Sequence, residues 1–149
     1  MSNIDIVKEL REITGLSFKE ISKAVEEAGG DKCKALEVLK KTGADIAGKK
    51  AQRSTEQGLV DAYIHGNGRL GVLTQMLCET DFVAKNPLFS ELAHEISMHI
   101  AAMDPENVEE LLKQEYVRDS EITINDLITQ YIAKIGENIK VGKFVRLTM

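Results

Sequence analysis

The chain has no tryptophan, and aromatic residues make up 5% of its 149 positions, so Leu, Ile, Val and Ala must fill any core. Its two cysteines, Cys33 and Cys78, lie far apart and show no CxxC spacing. That excludes a disulfide framework and a cysteine-rich zinc site; free, buried thiols in a reducing cytosol are the expectation. No apolar run approaches the length needed to span a bilayer, and the first residues carry no apolar signal core. A soluble, cytoplasmic protein without a membrane partner follows as an expectation. A basic excess is missing too. The net charge is −5, which argues against nucleic acid as a direct partner. The imbalance is local: residues 1–57 carry 11 basic and 10 acidic side chains, whereas residues 58–149 carry 8 and 14.

What is present suffices for one ordinary domain, or for a small module plus a compact core, with 43% hydrophobic residues. Ile4, Val7, Leu10 and Arg11 fall at helical spacing after Asn3, an expected cap, and Thr14-Gly15 ends that helix. Ser17 caps a second helix with the stripe Phe18, Ile21, Ala24, Val25 and Ala28, stopped by Gly29-Gly30. Asp31 opens a third, with Cys33, Leu36 and Leu39, expected to stop near Thr42-Gly43. Three short amphipathic helices make a bundle over residues 1–42, too small to be robust alone. Residues 43–57 are small, polar and locally basic and read as a partly helical linker. Residues 58–149 then form the core. Two β-rich runs, Leu59–Ile64 and Leu70–Cys78, flank the turn 65–69. A helical stripe runs through Leu88, Phe89, Leu92, Ala93, Ile96, Ile100 and Met103, a short helix through Val108, Leu111 and Leu112, and a clean stripe from Ile124 to Ile135, ended by Gly136. Ile139, Val141, Val145 and Leu147 alternate as a last strand interrupted by Lys143, with Lys140, Phe144 and Arg146 on its other face. Phe144 beside basic groups marks an interface or packs under a helix end. The fold class is α+β: a three-helix module, a linker, and a small three-stranded antiparallel sheet packed with helices.

Chemical motifs fail on inspection. Gly43 to Lys50 has Lys where a phosphate-binding loop needs a hydroxyl for Mg²⁺, and it follows a helix rather than a strand. Gly66, Gly68 and Gly71 match GxGxxG, but another strand follows where a dinucleotide site needs a helix. His94 and His99 are five apart, whereas two histidines on one face of a zinc-protease helix are four apart; they read as helix-surface residues. No nucleophile, acid–base pair or metal set emerges, so no catalytic residue, metal or cofactor is expected.

The conspicuous stretch is Thr80-Asp81-Phe82-Val83-Ala84-Lys85-Asn86, between the apolar run ending at Cys78 and the helix opening at Pro87. A strand-to-helix corner is exposed and stiffly held from both sides. Two readings stand on the residues alone. In one, Asn86 and Pro87 only start a helix and Phe82 tucks under as core. In the other, Phe82 is a wedge for a partner's pocket and Asp81 a charge aimed beside it.

This heptad resembles the signature of bacterial elongation factor Ts. Leu10-Arg11-Glu12-Ile13-Thr14-Gly15 is similar to that family's opening helix and turn, and Ala133-Lys134-Ile135-Gly136-Glu137-Asn138-Ile139 to its C-terminal signature. The resemblance implies a short form of the family: not an enzyme in the covalent sense, but an exchange factor that promotes GDP release from elongation factor Tu, which it would meet both GDP-bound and nucleotide-free. It implies that Thr80, Asp81, Phe82 and Val83 act near the partner's Mg²⁺ and nucleotide. It also implies that Arg11 and Phe18, on a module similar to ubiquitin-associated domains, touch the partner's nucleotide domain. Spacing alone leaves Phe18 equally readable as bundle core. The chain departs from its relatives at Leu16-Ser17-Phe18-Lys19, where a small, Met-rich turn is usual, and at Gly142-Lys143, where paired arginines are usual. Longer members place a helical hairpin, and often a second half-core, between the segments like 107–114 and 115–119; this chain passes straight through. One half-core leaves sheet surface to cover, so a homodimer is expected. The competing function is a non-catalytic adaptor that binds a polypeptide or helix through its N-terminal bundle.

Overall fold

The computed structural model describes residues 2–149. Helices α1 (Asn3–Thr14), α2 (Phe18–Glu27) and α3 (Lys32–Lys50) come first. Strands β1 (Gln57–His65) and β2 (Leu70–Cys78), the single turn α4 (Asp81–Ala84) and the long α5 (Pro87–Met103) follow. The chain ends with α6 (Val108–Lys113), β3 (Glu115–Tyr116), β4 (Asp119–Thr123), α7 (Ile124–Ile135) and β5 (Lys140–Thr148). The main sheet is antiparallel in the order β1-β2-β5, and β3 and β4 form a separate small hairpin. The architecture is therefore α+β, with a helical N-terminal part and a three-stranded antiparallel sheet.

Capping residues set most helix starts. Ser17, Asp31, Asn86 and Thr123 each accept a hydrogen bond from an amide of the first turn, and Pro87 occupies the first turn of α5. The first helix is capped by Ser2, one residue before the expected Asn3, because Ser2 and Asp5 complete a reciprocal capping box. Gly15 and Gly136 close α1 and α7 in the left-handed conformation.

Two apolar clusters form. The smaller gathers Ile6, Val7, Leu10, Leu16, Ile21, Ala24, Val25, Ala35 and Leu39 from the first three helices. The larger is built on Val72, Met76, Phe89, Leu92, Ile96, Ile100, Ile124, Ile128 and Ile132, with one face of the main sheet packed under α5.

Several expectations are corrected. The third helix does not stop at Thr42-Gly43 but continues to Lys50. Gly43 is buried, and a Cβ placed on it would stand only 3.5 Å from the Cβ of Ala133. The gain from packing α3 against α7 outweighs the weak helix propensity of glycine. Ala47 of α3 belongs to the larger cluster and Ala133 of α7 packs on the smaller, so the two cores share a wall. Ile4 is exposed, and so is Phe18, at 60%; neither belongs to the bundle core. Cys78 is buried as expected, but Cys33 is exposed in the first turn of α3. His99 is not on a helix surface: it is fully buried, and its two ring nitrogens meet Gln114 Oε1 at 2.9 Å and the Val117 amide at 3.2 Å.

The last strand is corrected as well. Opposite Gln75 the pairing of β2 with β5 shifts register between Thr74 and Met76, leaving Gly142 and Lys143 as a bulge. A bulge turns the alternation over. Val141 faces the core before it; after it Phe144 faces the core, while Val145 and Leu147 point outward, 51% and 71% exposed. Gln75 Oε1 accepts a hydrogen bond from the Lys143 amide at 3.1 Å and holds the bulge.

Candidate functional site

β2 ends at Cys78, and with it the ladder to its neighbours. The amides of Glu79 and Thr80 therefore need other partners. The carboxylate of Glu137, just past the end of α7, supplies them. Its Oε1 accepts from Glu79 N at 3.1 Å and from Thr80 N at 3.0 Å, and its Oε2 accepts from the Thr80 hydroxyl at 2.7 Å. The Thr80 oxygen in turn accepts from Val83 N at 3.4 Å and caps α4. The corner is thus not a bare loop but one helical turn with a fixed start.

The neighbouring residue tightens the same point from the other side. Asn138 N donates to Glu79 Oε1 at 2.8 Å, and its side-chain amide donates to the carbonyl oxygens of Arg53 at 2.8 Å and Ala51 at 3.4 Å. The Arg53 guanidinium lies 3.7 Å from Glu79 Oε1. Behind the corner the Cys78 thiol donates to Thr80 O at 3.2 Å. Burial, with the nearby Glu137 charge second, raises its pKa, so it stays a thiol and serves as a donor rather than a nucleophile.

On this base Val83 is half-buried against the larger core. Phe82 stands out, 84% exposed. Asp81 is exposed, and among the described residues its carboxylate has no hydrogen-bond or ion-pair partner. The first turn of a helix favours an acidic side chain, so Asp81 is tolerated there without one. Leu88, at the start of α5, is 39% exposed close by in sequence. The reading in which Phe82 tucks under as core does not hold. Leaving a ring in water forgoes about 1.5–3 kcal/mol of burial.

Arg11 and Phe18 lie elsewhere, exposed on α1 and α2; no hydrogen bond or ion pair among the described residues joins them to the corner. Two clefts of about 510 and 530 Å³ lie along α3 and α7, and neither is lined by a corner residue. Among the described residues no group of three His, Cys, Asp or Glu is placed to hold a metal, and no helix is long and apolar enough to cross a membrane. The sequence reading missed the parts played by Glu137 and Asn138. Local periodicity carries no trace of a contact between residues almost sixty positions apart.

Comparison with known proteins places this sequence in a family. The sequence model described as Elongation factor TS matches residues 79–149, a span that contains both the corner and its Glu137 clamp. Proteins named elongation factor Ts are similar over nearly the whole chain. That of Thermotoga petrophila is 40% identical, covering 97% of this chain and 94% of its own. That of Coprothermobacter proteolyticus is 43% identical over 97% and 96%, and that of Carboxydothermus hydrogenoformans 39% identical over 100% and 89%. The first alignment runs over 187 positions but uses 97% of 149 residues here, so about forty positions of the relative have no counterpart in this chain. With identity near 40% over almost its full length, the chain belongs to the elongation factor Ts family.

Proposed function

We propose that this protein is a guanine nucleotide exchange factor for elongation factor Tu in the translation elongation cycle, acting in the cytoplasm. The observation that carries the reading is the exposed Phe82, held beside an unpaired Asp81 on a clamped helical turn. The work is done without covalent chemistry. An exchange factor and a nucleotide weaken each other's binding to the same protein by equal factors, so the factor needs contacts that are available only when the nucleotide site is disturbed. The ring of Phe82 enters an apolar pocket on the partner. The Asp81 carboxylate then disturbs the region that orders Mg²⁺, whose charge helps hold the phosphates. Thr80 and Val83 hold the turn from below, one as its cap and one as its root in the core.

Burying one phenylalanine is worth about 1.5–3 kcal/mol, roughly ten- to a hundredfold in an equilibrium, which is little for both affinity and displacement. A second contact is therefore needed. Arg11 and Phe18, exposed on the N-terminal helices, supply it. Because α3 packs on α7, this second handle sits on the same framework as the corner rather than on a loose tether.

The outer face of the main sheet supports a further partner, a second copy of the chain. Val60, Ile64, Leu73, Val145 and Leu147 are all more than half exposed there and are brought together by the strand register. An apolar face of this kind on both copies is self-complementary, as a two-fold dimer requires.

Release of a fluorescent GDP from elongation factor Tu, timed with and without the protein, tests the exchange reading. Acceleration by the unmutated protein and its loss with Phe82→Ala are expected. Binding without acceleration would instead favour an adaptor.

A further inference from the structure

We infer that Glu137 is a positioning residue for nucleotide exchange, acting through the Asp81–Ala84 turn rather than on the partner; this rests on the reading above in which Phe82 is the inserting group. Glu137 follows Gly136, whose φ of 88° turns the chain out of α7 and toward β5. That turn delivers the carboxylate to the end of β2, where the amides of Glu79 and Thr80 have left the sheet ladder. One carboxylate then takes three donors: two backbone amides and the Thr80 hydroxyl.

A four-residue helix cannot hold itself, because its first turn fixes several torsions for very few hydrogen bonds. The direction of α4 must therefore come from its anchor. Thr80 is both the cap of α4 and the residue Glu137 grips, so the clamp sets where the axis of α4 starts and which way Phe82, two residues on, points. Asn138, 2% exposed, locks the opposite side through Glu79 and ties the corner to the chain just beyond α3. No hydrogen bond or ion pair among the described residues joins Glu137 to Asp81 or Phe82, and its side chain is already committed within the chain. Its effect on a partner is therefore indirect. Without the clamp the ring stays exposed but wanders, and it occupies the inserting orientation for a smaller share of the time.

The consequence is a split between rate and affinity. The N-terminal helices still hold the partner, so the concentration of factor giving half the maximal rate changes little, while the maximal rate falls. Stopped-flow release of fluorescent GDP from elongation factor Tu, followed over a range of factor concentrations, reads both quantities. Glu137→Ala is expected to lower the maximal rate roughly tenfold or more, the scale on which misplacing a reacting contact acts. Glu137→Gln, which keeps an acceptor oxygen for the two amides, is expected to recover most of it. The double variant Glu137→Ala with Phe82→Ala is expected to be no slower than Phe82→Ala alone, because the clamp works only through the ring. A Glu137→Ala protein with the full maximal rate, beside a slow Phe82→Ala protein, overturns the positioning role and leaves the wedge intact. Additive losses in the double variant also overturn it. A Phe82→Ala protein at full rate sinks the wedge itself. Should Glu137→Ala not fold, Thr80→Val and Thr80→Ser carry the same test, since only Ser keeps the hydroxyl that Glu137 accepts from; equal maximal rates for the two would overturn the inference.

Discussion

Arg146 reaches from β5 to the end of α5 and grips the carbonyl oxygen of Ala101, with Nε at 3.2 Å and Nη2 at 3.0 Å. Its Nη1 lies 3.6 Å from Asp104, the left-handed residue that ends the helix. A cation forked onto a last-turn carbonyl satisfies an orphan acceptor and opposes the negative end of the helix dipole. Arg146→Ala should cost about 1–2 kcal/mol in urea unfolding. Arg146→Lys should recover little of that, because an ammonium cannot make the two-pronged contact.

Two glycines in the sheet should respond differently to alanine. A Cβ on Gly58, at φ 156°, would stand 2.0 Å from the backbone oxygen of Met76, an atom locked in the ladder. A Cβ on Gly142 would stand 2.2 Å from Gln75 Oε1, the far end of a flexible side chain. Gly58→Ala should separate β1 from β2 and cost more than about 2 kcal/mol. Gly142→Ala should cost about 1 kcal/mol, the value of the hydrogen bond from the Lys143 amide that Gln75 gives up when it moves aside. Thermal melts of the two variants side by side check the order.

Leu73 and Val145 are paired across β2 and β5, and each is about half exposed. With Leu147 they form part of the apolar outer face. Sedimentation at micromolar concentration should give a dimer mass for the unmutated chain, and a monomer for Leu147→Lys, whose charge would be buried without a partner. A monomer mass for the unmutated chain would remove the second copy from the account.

His99 makes stability depend on pH. Burial holds its pKa below the usual 6.5, against a smaller opposing effect of Gln114. The folded chain therefore keeps a neutral ring, with Nδ1 accepting from Val117 and Nε2 donating to Gln114. Above pH 6.5 neither state binds the proton and this stability is fully present. As pH falls below 6.5 the unfolded chain takes up a proton that the folded chain refuses. Stability then drops by at most about 1.4 kcal/mol per pH unit until the folded ring also titrates. His99→Gln should lack this slope between pH 6.5 and its folded-state value, which denaturant midpoints across that range would reveal.

Much of this was legible in the sequence where the signal is local. Asn86-Pro87 starts α5, Ser17 starts α2, Gly136 ends α7, and the hairpin turn at 65–69 falls between its strands, because caps and turns act within four residues. The misreadings share a different cause. Gly43 looks like a helix stop until Ala133 packs against it. Val145 and Leu147 look like one face with Ile139 and Val141 until a bulge, held by Gln75, reverses the alternation. His99 looks like surface until Gln114 and Val117 satisfy it. At the corner, Thr80, Asp81, Phe82 and Val83 stand out in the sequence, but the Glu137 carboxylate that fixes them is invisible to any short window.

The two proposed contact surfaces should fail in different ways. Phe18 is exposed on a helix that belongs to the N-terminal cluster, so Phe18→Ala leaves the corner and its clamp in place. It should weaken partner binding by roughly ten- to a hundredfold, the worth of one buried ring, and raise the half-saturating concentration accordingly while sparing the maximal rate of GDP release. Arg11→Ala should act in the same sense but less, since an exposed cation contributes little and is screened by salt. Phe82→Ala should do the reverse, lowering the maximal rate with a smaller effect on half-saturation. Rates fitted over factor concentration separate these outcomes. If Phe18→Ala and Phe82→Ala shifted the same parameter by the same factor, the two surfaces would be one binding patch, and the division into a handle and a wedge would have to be abandoned.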